Sequence, residues 1–200
     1  PLGNALAARV RATGLVVVTI DFEDGSGLVR DDVFDWPGYA AQRLPQVRPD
    51  VVVSLLGAND GQALRLASAR LEFGSREWDR EYTERVANFM DLLIEGSARV
   101  YWVGVPTMSD ADYDSRVQHI NALQWGQAAA RGQLGFVDGY SLFRNEAGEY
   151  TAQLLDEDGD PATMRQPDGI HLTGAGADRL ALAVLHRVAS DWGPAALSGG

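Results

Sequence analysis

Two hundred residues, 46% of them hydrophobic, suffice for one globular domain with a sizeable core. A net charge of −11 disfavours nucleic acid and anionic lipid surfaces as partners, and no run approaches 18 uninterrupted apolar residues, so no segment reads as membrane-spanning. The absence of cysteine excludes disulfide frameworks and thiolate metal sites but leaves the compartment open.

The chain opens on Pro1 rather than Met, so a removed leader or an earlier stretch of the domain is expected before it. Leu2, Leu6, Ala7 and Val10 follow helical spacing, which predicts a helix at about 3–12. The apolar run "LVVVTI" (15–20) reads as a strand, followed by the polar loop "EDGSGLVRDD" (23–32). A helix is expected to open at Pro37, a residue suited to a first helical position. "VVVSLL" (51–56) is a second strand, leading into Gly57-Ala58-Asn59-Asp60. A long helix over 76–95 follows, with Ser75 as its N-cap. "RVYWVGV" (99–105) is a strand stopped by Pro106, and the next segment, 109–132, is a helix with acidic residues in its first turn. "LGFVDG" (134–139) is a further strand. The stretch 149–166 is irregular with a hairpin around Asp158-Gly159, and residues 173–192 form the closing helix. The tail from 193 to 200 is read as frayed.

Continuously apolar strands separated by helices indicate an α/β fold, a doubly wound parallel sheet in three layers, here as one domain over 1–192. Such sheets carry their chemistry in loops beyond the C-terminal strand ends. Three polar, glycine-bearing loops belong on that rim: 23–27, 57–60 and 166–177.

Of three histidines, His119 and His186 fall inside helices and read as surface or packing residues. His171 differs, because it ends the turn "DGIH" three residues after Asp168. That spacing brings a carboxylate to one imidazole nitrogen and leaves the other free, as a general base for a hydroxyl nucleophile requires. Alternatively, Asp168 merely caps the turn. Asn59, at a strand end, can aim an N–H at an oxyanion; taken singly, Asn59 and Asp60 read as an Asx-type turn. "DEDGD" (156–160) has the acidic density of a calcium loop but lacks the twelve-residue pattern, so a hairpin turn is the better reading. Trp102 is expected in the core, with Trp78 and Trp125 at helical positions compatible with it. Trp36 sits in a rim loop and is the candidate substrate contact.

These residues together resemble the SGNH (GDSL-type) hydrolases. The family's third block, Gly-x-Asn-Asp, matches Gly57 to Asp60, and its fifth, Asp-x-x-His, matches Asp168 to His171. "GSGLVRDDVFDWP" (25–37) is similar to the corresponding segment of the domain-of-unknown-function 459 branch. The resemblance implies a flavodoxin-like sheet with His171 as base, Asp168 as its orienting carboxylate and Asn59 as an oxyanion donor. The second-block backbone donor falls at Gly25 or Ser26. Gly57 lets the backbone approach the site, and Asp60 braces the loop.

The family's first block, Gly-Asp-Ser, holds the nucleophile at the end of the first strand, and by this alignment it belongs before Pro1. That strand lies inside the family's sheet, between strands two and three, so without it two edges are exposed. An N-terminal piece of the natural molecule is the expected source; a strand from a second chain and a rearranged pseudoenzyme are the alternatives. Ser26 is the best serine in hand, although an oxyanion or loop-shaping role suits it better. Ser54 is expected to be buried in its strand, and Ser109 and Ser141 lack a matching motif.

The expected function is a serine esterase on small acyl esters, acetyl above all, with O-acetylated cell-envelope carbohydrate as the substrate suggested by the branch. No metal or organic cofactor is needed, and export is expected by family analogy. A non-catalytic carbohydrate-binding or accessory domain, or an O-acyltransferase, is the alternative.

Overall fold

The computed structural model describes residues 2–11 and 16–192. The chain begins with α1 (Leu2–Arg11), α2 (Trp36–Val47) and β1 (Val51–Ser54), then the short β2 (Leu64–Arg65) and β3 (Arg70–Leu71). Next come α3 (Arg76–Glu95), β4 (Arg99–Val103), α4 (Ala111–Ala129), β5 (Leu134–Val137) and a 3-10 turn at Ser141–Phe143. It ends with β6 (Gln153–Leu155), β7 (Pro161–Thr163) and α5 (Gly174–Trp192). No helix among the described residues is long and apolar enough to cross a membrane.

The chain forms two compact units. One comprises Glu23–Val105 and Asp112–Asp138. Its sheet is parallel, in the order β1-β4-β5, with Val51 to Ser54 opposite Arg99 to Trp102 and Val100 to Val103 opposite Leu134 to Val137. Parallel strands need helical crossovers, which α3 and α4 supply. Ser75 caps α3 through its hydroxyl, which accepts from the Trp78 N–H at 3.2 Å, and Glu77 and Asp79 favour the N-terminal dipole. Trp78, Tyr82, Val86, Phe89, Met90 and Leu93 recur every three or four residues and are buried. Each such side chain stabilises the fold by roughly 1.5–3 kcal/mol through removal from water. In α4 the inward positions are Val117, Ile120, Gln124 and Ala128. A glutamine thus stands where the period calls for an apolar residue.

The second unit comprises the described residues of Pro1–Phe22, Pro106–Ala111 and Gly139–Gly200. Here α1 packs on α5, with Arg9 bridging to Glu157 at 2.6 Å and to Asp178 at 3.4 Å. Strands β6 and β7 form an antiparallel hairpin, Gln153 opposite Thr163. Its turn is closed by the Asp156 carboxylate, which accepts the backbone N–H groups of Asp158 and Asp160 at 3.0 Å each.

The α/β class and the order of helices follow the expectations above, and α3 spans the expected residues. One strand does not. Residues 16–20 of "LVVVTI" belong to no helix or strand, Leu15 lies outside the described residues, and Val17 is 97% exposed. An apolar run becomes a strand only where a neighbour takes up its backbone hydrogen bonds. Among the described residues no ladder includes this segment; its Ile20 instead covers Gly3 of α1. The strands at 51–56, 99–105 and 134–139 end earlier than expected, because Leu55-Leu56, Gly104-Val105 and Asp138-Gly139 already belong to loops. The β2–β3 hairpin, anchored by the fully buried Leu64, had no sequence signal. Trp78 and Trp102 are core, whereas Trp125 is 60% exposed. The tail at 193–200 lies outside the described residues.

Candidate active site

In the second unit the turn from Gln166 to His171 presents the Asp–His pair. Asp168 Oδ2 lies 2.7 Å from His171 Nδ1, while Oδ1 accepts the backbone N–H groups of Ile170 (2.8 Å) and His171 (2.9 Å). The His171 imidazole beside it, with those two backbone donors, lowers the Asp168 carboxyl to about 2 from its ordinary 3.8. Asp168 is therefore an anion near neutral pH and can only accept, which assigns the Nδ1 proton to His171; in the neutral imidazole Nε2 is then the lone-pair acceptor. Nε2 has no protein partner among the described residues, and the imidazole is exposed. Gly169 has φ +68°, and a Cβ there would land on the Ser109 side chain. The neighbouring segment is tied on by the Ser109 N–H, which donates to Gly169 O at 3.3 Å. Thr173 then caps α5, its Oγ1 accepting from the Gly176 N–H at 3.1 Å.

The depressed carboxyl makes a pH prediction. A group held below its unfolded value contributes stability that is present above that value and is lost as pH falls through the folded one. The Asp168–His171 turn should therefore stay ordered as pH falls through 4 and loosen only near pH 2. The chemical shifts of the Ile170 and His171 amides, followed by NMR titration, check this; a midpoint near 4 would contradict it.

The first unit holds the other candidates. Asn59 Nδ2 donates to Ser26 O at 3.0 Å, and its second amide hydrogen has no protein acceptor among the described residues. The Ser26 hydroxyl is committed on both sides, donating to Glu23 O at 2.7 Å and accepting from the Trp36 indole N–H at 2.9 Å. Buried in this way, it shapes the loop. Gly25 lies exposed in the adjoining turn. Trp36 is half-buried, at the start of α2, with its ring against Phe34 and Tyr39.

Asp60 is fully buried. Its Oδ1 accepts the Val29 N–H at 2.9 Å and its Oδ2 accepts the Tyr82 hydroxyl at 3.0 Å. Burial raises the Asp60 carboxyl and, more strongly, the Tyr82 phenol, so the shared proton stays on the tyrosine. Tyr82 accepts in turn from Gln124 Nε2 (2.9 Å), which also donates to Leu56 O (2.9 Å); Gln124 Oε1 accepts from the Trp102 indole (2.9 Å). Arg85 donates to Leu28 O, Tyr113 to Ala58 O and Arg116 to Gly61 O. Both loops of this half are thereby fixed from α3 and α4.

Gly57 is needed where it stands. Its φ is +127°, and a Cβ would approach Gln124 Nε2 to 2.7 Å and Ile120 Cγ2 to 3.0 Å. Gly57→Ala should destabilise the protein by roughly 3 kcal/mol, through backbone strain and displacement of Gln124. Urea denaturation measures this, and a change below about 1 kcal/mol would show that the contact relaxes easily.

His119 pairs with Asp79 at 2.7 Å and packs on Phe73, and His186 is exposed. Ser54 is buried in β1, as expected, while Ser109 and Ser141 are exposed. Among the described residues no group of three or more histidine, aspartate or glutamate side chains is arranged to hold a metal ion. Sequence reasoning missed Tyr82, Gln124, Arg85 and Tyr113. Only Gln124 left a signal, as a polar residue at an apolar position of its helix.

The α/β fold is similar to that of several solved ester hydrolases. LAE5, an alpha/beta hydrolase enzyme from the metagenome of Lake Arreo, Spain, matches with TM-score 0.60 at 21% identity, over 93% of this chain and 78% of that one. A catalytic mutant of Axe2, an acetylxylan esterase from Geobacillus stearothermophilus, matches with TM-score 0.62 at 20% identity, over 94% and 78%. A mutant acetyl esterase solved with acetate ion matches with TM-score 0.57 at 14% identity, over 96% and 92%. The chain belongs to the family described as "Protein of unknown function (DUF459)", whose model matches residues 1–187. No curated protein matches it.

Proposed function

We propose that the protein is a serine ester hydrolase acting on small acyl esters, acetyl above all, with O-acetylated cell-envelope carbohydrate as its substrate class. The observation that carries this reading is the Asp168–His171 pair at 2.7 Å, with Nε2 left open. The acetylxylan esterase among the structural neighbours supports the acyl group by analogy.

In this reaction a serine of the Gly-Asp-Ser block, which the resemblance places before Pro1, attacks the ester carbonyl. His171 Nε2 takes its proton, and the ionised Asp168 stabilises the imidazolium that forms. The second amide hydrogen of Asn59 and a backbone N–H at Gly25 or Ser26 stabilise the oxyanion, each donor contributing about 3 kcal/mol of barrier reduction. The intermediate collapses, and His171 returns the proton to the departing alcohol. Water then gives its proton to His171 and attacks the acyl-enzyme, and His171 passes that proton to the serine oxygen as the acid leaves. A sugar hydroxyl in place of that water would make the same machinery a transferase. Trp36 offers its ring to the substrate. Export to the periplasm or the exterior belongs to the same reading by family analogy.

The test is a fluorophosphonate probe on the full-length natural protein, followed by peptide mapping and p-nitrophenyl acetate turnover. A single adduct on a serine preceding Pro1, with turnover lost in proportion, is the expected result. An adduct on Ser26 would move the nucleophile. No adduct and no turnover would overturn the hydrolase and leave a carbohydrate-binding domain.

A further inference from the structure

Arg165 is fully enclosed, 2% exposed, in a stretch where the sequence offered no motif. One end of its guanidinium, Nη1, donates to Ile170 O, and the other, Nη2, donates to Thr107 O. Its plane lies over the Phe143 ring, 4.8 Å from the centroid. The backbone of Arg165 also bridges to Leu172, and the Gln166 N–H donates to His171 O at 2.7 Å. The loop from 165 to 172 is thus closed at its neck by one buried side chain.

What this clamp holds is specific. The peptide unit joining Ile170 to His171 is fixed at both ends, its carbonyl by Arg165 and its N–H by Asp168 Oδ1. The two backbone torsions that flank that peptide, ψ of Ile170 and φ of His171, help to set where the His171 side chain leaves the chain. Burying a guanidinium carries a large desolvation cost. Two carbonyls on separate segments, read by a rigid planar fork, exploit a geometry that a lysine ammonium cannot reproduce. Thr107 belongs to the segment that carries Ser109, whose side chain packs against Gly169. Arg165 therefore ties the histidine turn to the 106–109 segment as well as to itself.

We propose that Arg165 is a positioning residue for His171, setting the direction of Nε2 through the Ile170–His171 peptide; this rests on the hydrolase reading above. A misplacement of the base by about 1 Å costs on the order of 100-fold in rate, so the effect should fall on kcat. The experiment uses the full-length natural protein with Arg165→Lys, Arg165→Met and, as a reference, His171→Ala. It reads kcat and KM for p-nitrophenyl acetate, the melting temperature, and the NMR resonance of the His171 Nδ1 proton. Expected for Arg165→Met is a kcat lower by about 30- to 100-fold, KM within about threefold, and a shifted or broadened Nδ1 proton signal. Arg165→Lys should recover only part of this, since it can reach one carbonyl.

An Arg165→Met protein with unchanged kcat and an unmoved Nδ1 resonance would overturn the proposal. Should that variant not fold, Arg165→Lys decides: a kcat loss at unchanged KM supports positioning, whereas a lowered melting temperature with full kcat shows a purely structural arginine. No turnover in the unsubstituted protein would sink the hydrolase reading instead, and retained turnover in His171→Ala would sink His171 as its base. In either case the Nδ1 resonance alone decides whether Arg165 orients the ring.

Discussion

His171→Ala should lower ester turnover by about 1,000-fold or more while leaving the melting temperature almost unchanged. The side chain is exposed and, among the described residues, its ring bonds only Asp168. Its removal deletes the base for both half-reactions without opening a cavity. Asp168→Asn should cost a similar amount by a different route. An asparagine amide can donate toward Nδ1 and so favour the wrong tautomer, with the proton on Nε2 where the nucleophile needs a lone pair. The two backbone N–H groups can still be accepted by its carbonyl oxygen, so the turn should persist. Steady-state kinetics on p-nitrophenyl acetate, with circular dichroism as the folding control, separates these effects. Turnover within about tenfold of wild type in His171→Ala would sink the assignment of His171 as base.

The second large effect falls on stability. Asp60→Ala removes an acceptor that serves the Val29 N–H and the Tyr82 hydroxyl in a fully buried position. Each buried donor left unsatisfied costs about 1–3 kcal/mol, and an expected total of about 4 kcal/mol would unfold a substantial fraction of a marginal domain. Activity should fall with it, because the 26–29 loop loses its anchor. Asp60→Asn should cost less, because its amide oxygen can still accept one donor. The pH dependence differs as well. Burial raises the Asp60 carboxyl, so the folded state binds that proton more tightly than the unfolded one. Its contribution to stability therefore falls as pH rises from the unfolded value, 3.8, through the folded one, and Asp60→Asn should flatten that decline. Urea titrations of both variants at several pH values check the magnitude and the sign. A loss below about 1 kcal/mol for Asp60→Ala would mean that water replaces the carboxylate.

Much of this was legible in one dimension. The helical periods of α3 and α5, the Ser75 cap and the turn at Asp158-Gly159 are local, and local propensity decides them. Asp168 and His171 lie three residues apart within a tight turn, so their pairing needed no tertiary information. The segment at 15–20 failed for the opposite reason. Its composition was that of a strand, but strand formation depends on a neighbour's hydrogen bonds, and no ladder among the described residues takes it up. The β2–β3 hairpin is too short to show a period, and it holds because Leu64 enters the core. Trp125 lies one residue beyond Gln124, and only the packed helix shows that the glutamine is buried and the tryptophan faces out.

The sequence by itself determined the α/β class, the family and the Asp–His turn, because period, motif spacing and short-range hydrogen bonding are properties of neighbouring residues. Tertiary structure alone decided which polar side chains are enclosed: Asp60 with Tyr82 and Gln124 in one unit, and Arg165 with the Ile170 and Thr107 carbonyls in the other. Their partners lie 22 or more residues away, apart from the Arg165–Ile170 contact, and a buried polar group is tolerated only where such partners meet it. That condition is set by packing, which no local pattern encodes.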